Sequence, residues 1–160
     1  MKEIRYSPIG IIHSPFKDIN GIPIQSTGAQ GIKGTIEIAP EYLEGLDGIE
    51  GFSYIILLYH FHLSNGFSLK VRPFLSEGKY GVFATRAPKR PNPIGISIVK
   101  LIQVEGTKLY IEDVDIVDNT PLLDIKPYVP QFDMRDAKKI GWLTERIADV
   151  RQKKADNRFR

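Results

Sequence analysis

The chain has 160 residues, 42% of them hydrophobic and 26% charged, the make-up of one globular domain with a full core. It has no cysteine, which excludes a disulfide frame, a thiolate nucleophile and a cysteine zinc site; no stretch approaches the roughly 18 apolar residues of a membrane span, and no apolar signal segment opens the chain, so a cytoplasmic protein is expected. The net charge of +3 is uneven: residues 137–160 carry eight Lys/Arg and three Asp/Glu, and the rest sums to −2. The sequence therefore reads as a near-neutral domain over 1–136 and a basic segment over 137–160, of a kind that meets a polyanion such as RNA.

Residues 4–13 read as a strand with Pro8 in it, so an edge or bulged strand. Residues 16–31 carry Gly21, Pro23, Gly28 and Gly31 and form a long irregular loop of the functional or mobile kind. Residues 32–39 alternate as a strand with one polar face. Residues 40–51 hold one short helical turn between Pro40 and the glycines. The run F-S-Y-I-I-L-L-Y-H-F-H-L over 52–63 is the strongest strand, apolar on both faces and so central. By its two-residue period His60 and His62 share a face.

Ser64-Asn65-Gly66 is a turn. Residues 69–71 form a short strand closed by Arg72-Pro73, and 80–84 form another. Residues 94–105 and 107–117 pair as a hairpin about Gly106. A turn at 118–121 leads to a last strand over 122–129, stopped by Pro130. Ile140, Leu143, Ile147 and Val150 make a helical stripe, with Trp142 beside it, which predicts a helix over 138–154. Residues 156–160 are expected to fray. Strands without intervening helices predict a mainly β fold, a small antiparallel β-barrel with a C-terminal helix.

Residues 80–93 draw the eye chemically. A short apolar run enters a loop with Arg86, Lys89 and Arg90 among Pro88, Pro91 and Pro93. The prolines fix φ and remove donors, so the loop is rigid and carries fixed positive charge. Such a loop suits an anionic or planar ligand, or is simply a stiff connection. Residues 112–118 (E-D-V-D-I-V-D) are unusual for a strand. With Val114 and Ile116 in the core, Asp113 and Asp115 would share the other face, either in solvent or at a site for a cation. His13 reads as a surface residue. His60 and His62 lack the third ligand a metal site needs, so no metal is expected. Nucleophile-elbow, Walker and dinucleotide glycine patterns are absent.

Four segments, 9–16, 52–62, 81–97 and 113–130, together resemble the TsaA-like, or YaeB-type, domain of the TrmO tRNA methyltransferases. The third (G-V-F-A-T-R-A-P-K-R-P-N-P-I-G-I-S) and the fourth (D-V-D-I-V-D-N-T-P-L-L-D-I-K-P-Y-V-P) are the most specific. The resemblance covers roughly residues 4–133. It implies a β-barrel that binds S-adenosylmethionine, acts as a homodimer and methylates N6 of N6-threonylcarbamoyladenosine at tRNA position 37. By position it implies cofactor contacts at Ser26, Thr27, Gly28, His62, Leu63, Arg86, Ile96, Glu112, Asp113, Val114 and Asp115. Lys89, Arg90, Asn92 and Lys126 would meet RNA or substrate. Any general base is open among an Asp of the 113–124 stretch (Asp118 and Asp124 among them), His62 and Tyr128. Larger bacterial members carry a further C-terminal domain, in whose place the 138–160 segment stands here. The family also usually has Gly where this chain has Asn119, which tolerates positive φ. Three rival readings are a non-enzymatic RNA-binding barrel, a methyltransferase for another substrate and a structural dimer that binds S-adenosylmethionine as a sensor.

Overall fold

The computed structural model describes residues 3–156 and 159. Its strands, in chain order, are β1 (Gly10–His13), β2 (Lys33–Ile38), β3 (Tyr54–His60), β4 (Lys70–Val71), β5 (Tyr80–Gly81), β6 (Ile94–Glu105), β7 (Lys108–Glu112) and β8 (Thr120–Pro127). Six of them close into a barrel of order β1-β2-β7-β6-β3-β8, every neighbour antiparallel. β4 and β5 pair with each other outside it. No helix among the described residues is long and apolar enough to cross a membrane.

Alternation builds the barrel. Inward positions of β3 and β6 are Ile55, Leu57, Tyr59, Ser97 and Val99, all buried. Ile12, Ile36, Leu109, Ile111 and Leu122 meet them from the other strands. Burying each such aliphatic side chain is worth about 1.5–3 kcal/mol. Val114 and Ile116 join this core, and Leu46 caps one end of it.

Several expected elements are shorter or different. β1 begins only at Gly10, because Pro8 has no N–H for a ladder; Ile4 and Tyr6 are exposed. Residues 40–51 hold two 3-10 segments, Pro40–Leu46 and Ile49–Gly51, separated where Gly48 takes φ +81°. β3 stops at His60, since the Phe61 amide turns to Pro93 O and the His62 amide to His60 O. That turn ends the two-residue period on which the shared face of His60 and His62 rested. Val82–Ala84 is a 3-10 turn and not strand; it buries Val82 and exposes Phe83.

β7 ends at Glu112, because Asp113 adopts φ +68°. Asp113 and Asp115 therefore do not lie on one strand face. Asn119 also has positive φ, at 60°. β8 starts earlier than expected, at Thr120. The continuous helix over 138–154 is absent. Two 3-10 segments, Gly141–Leu143 and Ile147–Arg151, replace it, and Gly141 at φ +60° breaks the helical path. Ile140 and Ile147 of the expected stripe are exposed, and the side chain of Val150 lies outside the described residues. A single α-helical turn, α1 (Pro130–Asp133), follows β8.

The segment expected to fray holds a buried side chain. Phe159 packs with Val71, Val82 and Ala87, and its ring meets that of Phe74 edge-on at 5.0 Å. Residues 157, 158 and 160 lie outside the described ones.

Candidate active site

One end of the barrel opens into a cleft with a cavity volume of about 230 Å³. Its floor is where β3 ends and β6 and β8 begin. Tyr59, Phe61 and His62 come from the first, Ile94, Gly95 and Ile96 from the second, and Thr120 from the third. The proline-locked loop contributes Thr85, Arg86, Pro88 and Arg90. The long N-terminal loop contributes Ile22, Ile24 and Gln25, and Asp115 comes from the β7–β8 connection. Ala155 and Phe159 form the roof. Backbone bonds from Gly21 N to Ala155 O (2.9 Å) and from Ala155 N to Ile22 O (2.7 Å) hold that roof to the N-terminal loop.

Asp115 is the one carboxylate that lines the cleft among the described residues. Ser97 Oγ donates to its Oδ1 at 2.6 Å. Tyr59 and Ser97 hydroxyls lie 3.1 Å apart. Ser97 has one hydrogen and gives it to Asp115, so Tyr59 O–H donates to Ser97. The result is a directed chain from the barrel core to the carboxylate. Burial pushes the Asp115 carboxyl up to about 6, against the lowering effect of Ser97 and Arg86. Burial and the Asp115 charge push Tyr59 up as well.

Arg86 supplies a cation across the cleft, where its Nη1 donates to Gln25 Oε1 at 2.7 Å. Arg90 turns back on its own loop and donates to Thr85 O and Ala87 O, at 3.1 and 3.2 Å. Thr120 Oγ1 donates to Val117 O and lies 3.3 Å from His62 Nδ1. Since the hydroxyl hydrogen is used, His62 donates through Nδ1 and keeps Nε2 as an acceptor. Partial burial, with His60 nearby, lowers the His62 pKa and keeps the ring neutral at pH 7.

Of the residues expected to hold a cofactor, His62, Leu63, Arg86, Ile96 and Asp115 meet in the cleft. Ser26, Thr27 and Gly28 form a 3-10 turn, and Thr27 lines an adjoining hollow that shares Arg86 and Gln25 with the cleft. Glu112, Asp113 and Val114 stand elsewhere. Glu112 is 3.8 Å from Lys100, Asp113 accepts the Gly31 amide at 2.8 Å, and Val114 is core.

Among the candidate bases, His62 and, of the 113–124 aspartates, Asp115 lie in the cleft. Asp118 accepts from Ser14 N, Lys17 Nζ and Asn119 Nδ2, with His13 at 3.6 Å, and lines a separate groove. The hydrogen bond from Lys17 holds its carboxyl below the ordinary carboxylate value. His13 thus sits between Asp118 and Glu37. Asp124 pairs with Lys126 at 2.7 Å, and Tyr128 packs edge-on against Tyr54. Tyr54 begins β3 and the cleft lies at its far end, roughly 20 Å away at about 3.3 Å per residue. Asn92 is exposed beside the cleft loop, and Lys89 O accepts the Ser68 amide. No group of three or more His, Asp or Glu side chains is placed to hold a metal among the described residues.

Sequence reading missed Tyr59, Ser97, Gln25, Thr120 and Phe159. Ser97 left a trace: it is a polar residue at an inward position of an alternating strand.

The model for the tRNA-methyltransferase O N-terminal domain matches residues 11–134. The chain belongs to that family. A probable S-adenosyl-L-methionine-binding protein of Pyrococcus abyssi is 56% identical over 156 residues, covering 98% of this chain and 85% of the relative. The human tRNA (adenine(37)-N6)-methyltransferase is 39% identical over 135 residues, which are 79% of this chain and 30% of that enzyme. A crystal structure of TrmO from Pseudomonas aeruginosa superposes with a TM-score of 0.74 at 38% identity, covering 88% of this chain and 63% of that one. The chain thus spans under two thirds of the TrmO crystal structure and under a third of the human enzyme. The TrmO N-terminal domain match ends at residue 134, before the Trp142 region and the Phe159 roof.

Proposed function

We propose that this chain is an S-adenosylmethionine-dependent methyltransferase acting on adenine N6 in tRNA, specifically on N6-threonylcarbamoyladenosine at position 37. The observation that carries the reading is the pairing of Arg86 and Asp115 across a single apolar cleft. S-adenosylmethionine has a carboxylate at one end and cationic sulfonium and ammonium groups. Arg86 suits the carboxylate through charge-assisted donation. Asp115, buried and pushed up to about 6, lacks full compensation and favours a cation beside it. Isoleucines 22, 24, 94 and 96 offer apolar walls for the adenosyl portion. The relatives named for S-adenosylmethionine binding and for tRNA adenine methylation support the same choice.

When bound, the cofactor supplies an electrophilic methyl group on sulfur. The chain's own part is to align the acceptor, exclude water and dispose of a proton. Lys89, Arg90 and Asn92 lie on the cleft loop and suit phosphate or the threonyl carboxylate. The basic segment over 137–160 suits more distant phosphates.

A homodimer fits the outside of the barrel. The β3 and β6 positions Ile56 and Ile98 face each other in register and point outward. Beyond the cleft, Ile98 and Ile102 are exposed on β6. An apolar stripe of this kind marks an interface.

The test has two stages. Calorimetric titration with S-adenosylmethionine, with ATP as control, should show binding of the first alone. Incubation with tRNA and labelled cofactor, followed by nucleoside mass spectrometry, should then show the methyl group on N6-threonylcarbamoyladenosine. Methylation of another nucleoside would keep the enzyme class and replace the substrate. Absence of cofactor binding would favour a plain RNA-binding barrel.

A further inference from the structure

We infer that Asp115 is the catalytic residue that takes the N6 proton, and that Tyr59 and Ser97 are positioning residues that hold it for that step. The inference rests on the proposed methyl transfer and adds its proton acceptor.

The stoichiometry requires such an acceptor. The N6 lone pair forms a bond to the methyl carbon, the carbon–sulfur bond breaks, and its electron pair goes to sulfur. Sulfur loses its positive charge and nitrogen gains it, until the N6–H bond breaks and the proton leaves. Reacting atoms approach within about 3–3.5 Å before transfer. A carboxylate that flanks the transferring methyl, between sulfur on one side and N6 on the other, can reach both. One anion at that place offsets charge on sulfur first and accepts the proton from nitrogen afterwards.

Asp115 is the carboxylate available there. It alone of the Asp and Glu side chains lines the cleft among the described residues. Asp118, Asp124 and Tyr128 are committed to other contacts away from it. Its orientation is set by the relay from Tyr59 through Ser97, whose two hydroxyls lie in the barrel interior at 5% and 4% exposure. Donation along that chain favours the ionised, proton-accepting carboxylate. The groups that face it are Ser97 from β6, Tyr59 from β3 and Arg86 from the proline-locked loop, with His62 and Arg90 on the same cleft. An acceptor with a pKa near 6 is ionised at pH 7 and remains a better base than an ordinary aspartate.

Asp115→Asn keeps shape and removes the proton acceptor. Single-turnover methylation at saturating S-adenosylmethionine, followed from pH 5 to pH 9, should fall about 10²–10⁴-fold in the variant. The wild-type acid limb, which the bound sulfonium sets below the free-chain value of about 6, should vanish with it, while cofactor affinity changes less. Ser97→Ala removes a donor that lowers the Asp115 pKa, so the limb should move to higher pH with a smaller loss of rate. A variant that weakens cofactor binding but keeps the saturated rate would make Asp115 a cofactor anchor and overturn the assignment. So would a limb that survives Asp115→Asn and disappears in His62→Asn. A wild-type chain that binds no cofactor or transfers no methyl would instead strike the proposed function itself.

Discussion

Tyr59 and Gly95 face each other in the β3–β6 ladder, and the tyrosine ring occupies the space that a side chain at Gly95 would need. A Cβ there would come within 2.3 Å of the ring and 2.9 Å of Phe61. The glycine thus lets the Tyr59 ring lie across the ladder with its hydroxyl at Ser97 in the barrel interior. Gly95→Ala should destabilise the fold by about 1–3 kcal/mol, read by urea denaturation. It should also weaken S-adenosylmethionine binding in calorimetry, because the ring must turn towards the cleft. Full stability and affinity together would show that the ring has another place to go.

Arg86 makes its side-chain bond to Gln25 at an exposed position. Arg86→Ala should leave the urea midpoint nearly unchanged. Loss of a charged hydrogen bond to the cofactor carboxylate is worth about 1.5–3 kcal/mol, or roughly ten- to a hundredfold in affinity. Unchanged affinity would remove Arg86 from the site.

Two aspartates should leave opposite marks on stability. Asp115 has a folded pKa raised from 3.8 to about 6, so the protonated form fits the fold better. Stability should fall as pH rises from about 4 to 6, by on the order of 3 kcal/mol, and Asp115→Asn should abolish that slope. Asp118 has a lowered pKa, so its contribution is present above the ordinary carboxylate range and lost on acidification through the folded value. Asp118→Asn should flatten the decline below about pH 4 and leave the Asp115 slope in place. Chemical denaturation at pH 3 to 8 measures both.

Ile98 faces outward on β6 opposite Ile56. Ile98→Arg puts a charge in the middle of the apolar stripe. Sedimentation should show a dimer for the natural chain and a monomer for the variant, with the monomer's melting behaviour close to that of the parent. A chain that sediments as a monomer from the start would dissolve the dimer proposal.

Much of the barrel was legible because strand alternation is a local signal. Val114 and Ile116 were placed in the core from their spacing, and the cleft loop from its prolines and cations. The failures have physical causes. Asp113 adopts a left-handed conformation that composition does not announce, and it ends β7 before the acidic run. Ile140, Leu143 and Ile147 carry helical spacing, but Gly141 at φ +60° interrupts it. The Tyr59–Ser97–Asp115 chain depends on the register between β3 and β6, which no single stretch encodes. Phe159 is buried by residues more than seventy positions earlier, so its role could be read only from tertiary packing.

The roof over the cleft is fastened differently from its floor. Barrel strands are locked by continuous ladders and a shared core, whereas among the described residues the roof is joined to the loops around it by two backbone rungs at Ala155 and by the packing of Phe159, among other contacts. Weakly fastened parts open more often than the unit they cover. Release of a molecule held in the cleft should therefore depend on the contacts of Ala155 and Phe159 more than on the stability of the barrel.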